Sequence, residues 1–108
     1  MLPWKMLDEE GVNQVLEKLS LRFPEAGVYL YGSYSRGEQK ESSDLDVLLV
    51  FDEFRSGLLD EIGNFRREMQ YKVPIELSLR PVTTKTFVHS DTPFWRTIRR
   101  SSKLFLSV

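Results

Sequence analysis

Cysteine is absent from the 108 residues, and histidine occurs once, as His89. Without a thiol there is no disulfide framework, no thiolate nucleophile and no zinc-thiolate site, and one histidine cannot assemble a zinc set by itself. A reducing compartment is the expected home. Long apolar runs are missing too: none approaches the roughly 20 residues that cross a bilayer, and the first ten residues, MLPWKMLDEE, lack the charged-then-apolar layout of a secretory leader. A soluble, cytoplasmic protein with no membrane partner is expected. Strong net charge is absent as well. Sixteen acids against 15 bases leave a formal charge of -1, which argues against a global polyanion-binding surface and against nucleic acid as a partner. The charges are unevenly placed, because all but one of the acids precede Arg80 while six bases lie from Arg80 onward. That basic tail reads as a solvated helix face, with a local basic patch as the alternative. At about 100 to 200 residues per domain, residues 1–108 form one domain.

Apolar periodicity organises the chain. Val12, Val15, Leu16, Leu19 and Phe23 recur at helical spacing, with Asp8 placed to cap the helix and Pro24 to end it. Val28 to Tyr31 form a short β-prone run closed by Gly32, and residues 33–43 are a polar, turn-rich connection with room for about one helical turn. Residues 44–51, DLDVLLVF, are the strongest strand, apolar on both faces after Asp46. Ser56 is placed to cap a second helix with a stripe of Leu58, Leu59, Ile62, Phe65 and Met69. In residues 73–80, Val73, Ile75, Leu77 and Leu79 alternate with Glu76, Ser78 and Arg80, which predicts a third strand with one core face. Thr92 and Pro93 open a short helix with Phe94, Trp95 and Ile98 on one side and Arg96, Arg99 and Arg100 largely on the other. The order predicts an α/β (α+β) fold, a small mixed sheet of about three strands flanked by helices. The helix over 56–70 can serve as a crossover, so the strands at 44–51 and 73–80 should be parallel. The first strand joins the second by too short a link for that, and should be antiparallel to it.

Asp44 and Asp46 are two residues apart at the start of a strand, so their carboxylates project from one face. Two such groups repel unless something positive sits between them, and a hard divalent cation such as Mg²⁺, which takes carboxylates, waters and substrate phosphates, is the natural occupant. In a parallel sheet Glu76 would lie level with the pair, so three acids are expected to converge. The antiparallel turn returns Gly32 and Ser33 to the same end. Gly32 permits close backbone approach, and the amides of residues 33–35 would open a helical turn suited to an anion, with the Ser33 hydroxyl adding a donor. A phosphate cradle facing a carboxylate metal site suits metal-assisted phosphoryl or nucleotidyl transfer. Arg36 and Lys40 stand in the same connection and could neutralise phosphate charge. Arg80 shares a face with Glu76 and could pair with the acids or reach a nucleotide. Gly32 and Gly37 have the spacing of a P-loop, but Glu38 and Gln39 occupy the positions that need Lys and Ser or Thr, so a Walker A site is rejected. Tyr29, Tyr31 and Phe51 read as core rather than base-stacking groups.

Gly32-Ser33, ten residues, then Asp44-Leu45-Asp46 resembles the G-S-x10-D-x-D signature of the minimal nucleotidyltransferases, a branch of the DNA polymerase beta superfamily. Ser43 before the first aspartate, Gly37 in the turn and the flanking apolar strands fit the same pattern, which covers about residues 27–80. The resemblance implies a nucleotidyltransferase fold in which Asp44 and Asp46 bind one or two Mg²⁺ ions and Gly32 and Ser33, with Arg36 and Ser43 nearby, hold the triphosphate of ATP. It also implies a third acid, assigned to Glu76, that shares a metal or accepts the acceptor's proton; the family often has Asp there, one methylene shorter. Many stand-alone members are antitoxins that transfer AMP to a tyrosine of a helical HEPN-domain toxin. That implies a HEPN-domain partner, and a lone domain has no second lobe to enclose a nucleotide. Leu2, Trp4, Met6, Leu104, Phe105, Leu106 and Val108 are candidates for such a contact or for packing on the chain's own surface. The alternatives are a non-catalytic module that neutralises its partner by occlusion, and transfer to a small molecule with a second copy of the chain completing the site.

Overall fold

The structure is a computed structural model that describes residues 7–106, so Leu2, Trp4, Met6 and Val108 lie outside the described residues. Helix α1, Glu9–Arg22, starts as expected: Asp8 accepts a hydrogen bond from the Gly11 amide at 2.7 Å, and Glu9 and Glu10 favour the positive end of the helix. Its stripe of Val12, Val15, Leu16 and Leu19 is buried, and Phe23 closes the helix with its ring fully inside. The chain then runs through β1, Gly27–Tyr31, one turn of helix α2, Ser33–Arg36, and β2, Leu45–Phe51. Helix α3, Leu58–Gln70, crosses back to β3, Leu77–Thr83. Two further helices, α4, Thr84–His89, and α5, Pro93–Ser101, lead to a two-residue strand β4, Lys103–Leu104.

The four strands are ordered β3-β2-β1-β4. β2 runs antiparallel to β1 and parallel to β3, the two pairings expected from the lengths of the connections. β2 is apolar on both faces because both are covered. Leu45, Val47, Leu49 and Phe51 pack with α1 and α3, while Leu48 and Val50 join Val82, Trp95 and Ile98 in a second cluster under α5. Phe23 knits the larger cluster together, its ring meeting Phe51 edge-on at 6.2 Å and Phe65 at 6.0 Å between centroids.

Several boundaries differ from the sequence expectation. Ser56 does not cap α3; Gly57 does, at φ 79°, with no side-chain hydrogen bond. Leu59 is 60% exposed, so the buried stripe of α3 is Leu58, Ile62, Phe65 and Met69. The third strand begins at Leu77, not Val73, and continues through Pro81 to Thr83, past the expected end at Arg80. Pro81 is tolerated because β3 is an edge strand, where a missing amide donor need not break a ladder. β4 and α4 had no periodic signal, being two and six residues long.

Phe23→Ala should lower the unfolding free energy by about 3–5 kcal/mol, since it removes a buried ring shared by two others. Leu59→Ala should stay within about 0.5 kcal/mol of the parent. Urea unfolding followed by circular dichroism checks both.

Candidate active site

The end of the sheet at which β2 begins carries the polar residues that its buried length excludes. Asp46 stands in a row with Tyr31 of β1 and Ser78 of β3, all three in direct register. By strand alternation Asp46, Leu48 and Val50 share the face that α5 covers further along, and Asp44 immediately precedes the strand. The two aspartates stand close enough for the Asp44 charge to act on the Asp46 carboxyl.

Gly32 lies against Asp46. Its backbone adopts φ 75° and ψ -160°, a conformation reserved for glycine, and a Cβ built there would collide with Asp46 Oδ2. The bend after β1 is thus in van der Waals reach of the carboxylate, as the antiparallel turn required. Ser33 opens α2, whose first amides, those of Ser33 and Tyr34, have no intrahelical carbonyl to bond. The Ser35 amide and hydroxyl both donate to the Gly32 carbonyl, at 3.1 and 2.7 Å, so Ser35 braces the turn rather than adding an open donor. The tyrosine after Ser33 is anchored too, its hydroxyl accepting from the Leu7 amide at 3.1 Å.

Electrostatics follow from the crowding. Partial burial pushes the Asp46 carboxyl above its ordinary value, and the Asp44 charge pushes the same way; the Ser78 hydroxyl and the Arg36 guanidinium pull it back. Burial, then the Asp46 charge, also raises the Tyr31 phenol, opposed by Arg80 and Ser78. Arg80 lies over the Phe94 ring at 4.8 Å and the Trp95 ring at 5.6 Å, which holds a cation on the Asp46 face without an acid partner among the described residues. A pair of oxygen donors whose charges repel fits a hard divalent cation in donor chemistry.

Other expected residues are placed differently. Glu76 aligns with Asp44 across the parallel ladder, its carbonyl accepting from the Leu45 amide at 2.9 Å, and it lines with Ser43, Asp44 and Ile75 a cavity of about 390 Å³. Its carboxylate, however, is taken by Arg66 of α3 at 2.8 Å. The expected convergence of three acids is therefore absent: no group of three metal-ligating side chains occurs among the described residues. The physical reason is position, since Glu76 precedes the regular part of an edge strand and its side chain can leave the sheet face. Arg36 pairs with Glu38 at 2.9 Å, both exposed. Ser43 closes the turn before β2, its hydroxyl accepting from the Lys40 amide at 2.8 Å. His89 is exposed at the end of α4. Sequence reasoning missed Arg66, which carries no motif, and the row of Tyr31 and Ser78 flanking Asp46, which correct strand registers would have revealed.

Two predictions follow from this crowding. Gly32→Ala should destabilise the fold by about 1–3 kcal/mol and displace Asp46, which thermal unfolding and divalent-metal titration together would show. Asp46→Asn should be more heat-stable than the parent at neutral pH in EDTA. A carboxyl whose folded pKa lies above its unfolded one favours folding below the unfolded value and loses that contribution as pH rises through the folded one. The advantage of the Asn variant should therefore fade as pH falls through the carboxylate range, measured as melting temperature against pH.

Comparison with known proteins agrees with this geometry. The family model described as a nucleotidyltransferase domain matches residues 12–103. The protein adenylyltransferase MntA of Thermococcus cleftensis is 40% identical over 55 residues, 47% of this chain and 56% of the relative. A Methanocaldococcus jannaschii relative is 39% identical over 46 residues, 39% of this chain and 46% of the relative. The chain thus matches about half the length of these curated relatives. Among solved structures, a toxin-antitoxin complex with AMP-PNP superposes with a TM-score of 0.65 at 17% identity, covering 90% of this chain and 73% of that one, a likeness of fold. Matched over most of its length, and with the glycine bend set against Asp46, the chain belongs to the nucleotidyltransferase domain family.

Proposed function

We propose that the chain transfers a nucleoside monophosphate, AMP from ATP, to a hydroxyl of a protein partner, the tyrosine of a HEPN-domain toxin, and so acts as its antitoxin. The observation that carries the reading is the placement of Gly32 directly against Asp46, with Ser33 opening a helical turn beside it and Asp44 two residues away. The Thermococcus relative is named a protein adenylyltransferase, and the complex of similar fold is a toxin-antitoxin, which supports the choice of acceptor.

In this reading Asp44 and Asp46 hold Mg²⁺, which when bound supplies charge neutralisation for the phosphates. The Ser33 end of α2 holds the triphosphate through its open amides, and Arg36 adds a positive charge near Asp46. The acceptor oxygen forms a bond to the α-phosphorus, the bond to the β-phosphate oxygen breaks, and pyrophosphate leaves. Glu76, released from Arg66, takes the hydroxyl proton. The chemistry asks the protein mainly for positioning and charge. The cavity beside Asp44 is small and open to one side, so the partner's surface completes the enclosure.

A second reading, occlusion of the partner without turnover, is favoured by the engagement of Glu76 with Arg66. Incubation of the chain with its genomically neighbouring protein, Mg²⁺ and ATP labelled at the α-phosphate separates the two. Turnover predicts label on a tyrosine of the neighbour and a loss of at least about 100-fold with Asp44→Asn. Occlusion predicts no label, with complex formation and neutralisation intact in the same variant.

A further inference from the structure

Arg66 holds Glu76 by an arrangement that is more than a surface ion pair. Its Nη2 meets Glu76 Oε1 at 2.8 Å while its Nε donates to the Leu77 carbonyl, also at 2.8 Å. The second bond ties the guanidinium to the edge of β3 through a backbone oxygen rather than through the carboxylate. Arg66 is 37% and Glu76 62% exposed in their side chains, so solvent reaches the pair and can exchange it. The Glu76 backbone is meanwhile tied to β2 through the Leu45 amide, level with Asp44, and the two acids line one cavity. Glu76 thus lines the cavity it shares with Asp44 while its carboxylate is held by a guanidinium, so a cation at the acids and Arg66 would draw on the same group.

We propose that Arg66 is a positioning residue that competes with the divalent cation for Glu76, withholding the third acid from the Asp44–Asp46 site until a cation draws it over. The inference rests on the reading of that site as a metal site. Without a cation, Glu76 beside Asp44 would add a third negative charge to a pair that already repels, so Arg66 is its lower-energy partner. With a cation present the balance reverses, since an ion bound by hard oxygen donors gains from a further carboxylate. Because the ion pair is exposed, its effect is modest, on the order of a threefold to fivefold shift in cation affinity.

The test is Mn²⁺ titration of the full chain without nucleotide, by calorimetry and by the electron paramagnetic resonance signal of free Mn²⁺. Arg66→Gln should bind Mn²⁺ about three to five times more tightly than the parent, and the gain should vanish in the Glu76→Gln background. Equal or weaker binding by a folded Arg66→Gln, or a gain that survives Glu76→Gln and so reflects net charge alone, overturns the proposal. Arg66→Lys keeps the charge but loses the forked contact; it carries the test if Arg66→Gln fails to fold, with a smaller gain of the same sign expected and no gain counting against it. Parent Mn²⁺ binding that is absent, or indifferent to Asp44→Asn, overturns the metal site and this inference together. Binding that responds to Asp44→Asn but not to Arg66 removes only the latch.

Discussion

The central strand can carry charge only at its ends. β2 is covered on both faces from Val47 to Phe51, by α1 and α3 on one side and by α5 on the other, and neighbouring strands occupy both its edges. A carboxylate placed at Val47 or Leu49, both fully buried, would need a partner to avoid a large desolvation cost. The position of Asp44 and Asp46 at the mouth of the strand is therefore a consequence of packing as much as of chemistry. Everything polar at that end is set out from β2: Tyr31 and the Gly32 bend by its antiparallel neighbour, Ser78 and Glu76 by its parallel one.

Crowding at this mouth stores an electrostatic imbalance. Asp46 is partly buried beside a like charge; Arg36, the cation that acts on it, pairs with Glu38, while Arg80 acts on Tyr31 and lies over two aromatic rings. Neither neutralises the pair outright. The closeness of Gly32 sharpens the constraint, because any side chain there would enter the space of the Asp46 carboxylate. If the proposed cation binds there, it would relieve this repulsion, and its occupancy would then be coupled to stability.

Much of this was legible in the residues themselves, and the parts that were not share a cause. Helix α1, the pairing directions around β2 and the adjacency of Gly32 to Asp46 all follow from periodicity and connection length, which are properties of contiguous sequence. The cap of α3 did not, because Ser56 and Gly57 are both plausible starts and the left-handed backbone at Gly57 decides between them. β3 was displaced because strict alternation across Val73 to Leu79 looks like pairing, although the paired ladder begins at Leu77. Arg66 was invisible for a different reason. It lies beside the buried stripe of Ile62, Phe65 and Met69, where an arginine reads as solvated surface, and only the docking of α3 on the edge of β3 brings it to Glu76.

The edge position of β3 also explains why the Glu76 carboxylate is placed unlike that of Asp46. In a central strand, alternation and cover on both faces leave a side chain one direction, as for Asp46 between Tyr31 and Ser78. At an edge the strand has an open flank, and a residue just before the regular ladder can turn over it toward the helix layer. Glutamate, with one methylene more than aspartate, has the reach to use that freedom while its carbonyl stays bonded to Leu45. A shorter acid at position 76, with the same pinned backbone, would lie nearer the sheet face and farther from the guanidinium. The choice of Glu at 76 and the placement of Arg66 on α3 are thus two halves of one arrangement, in which side-chain length and sheet topology together decide where the third charge rests.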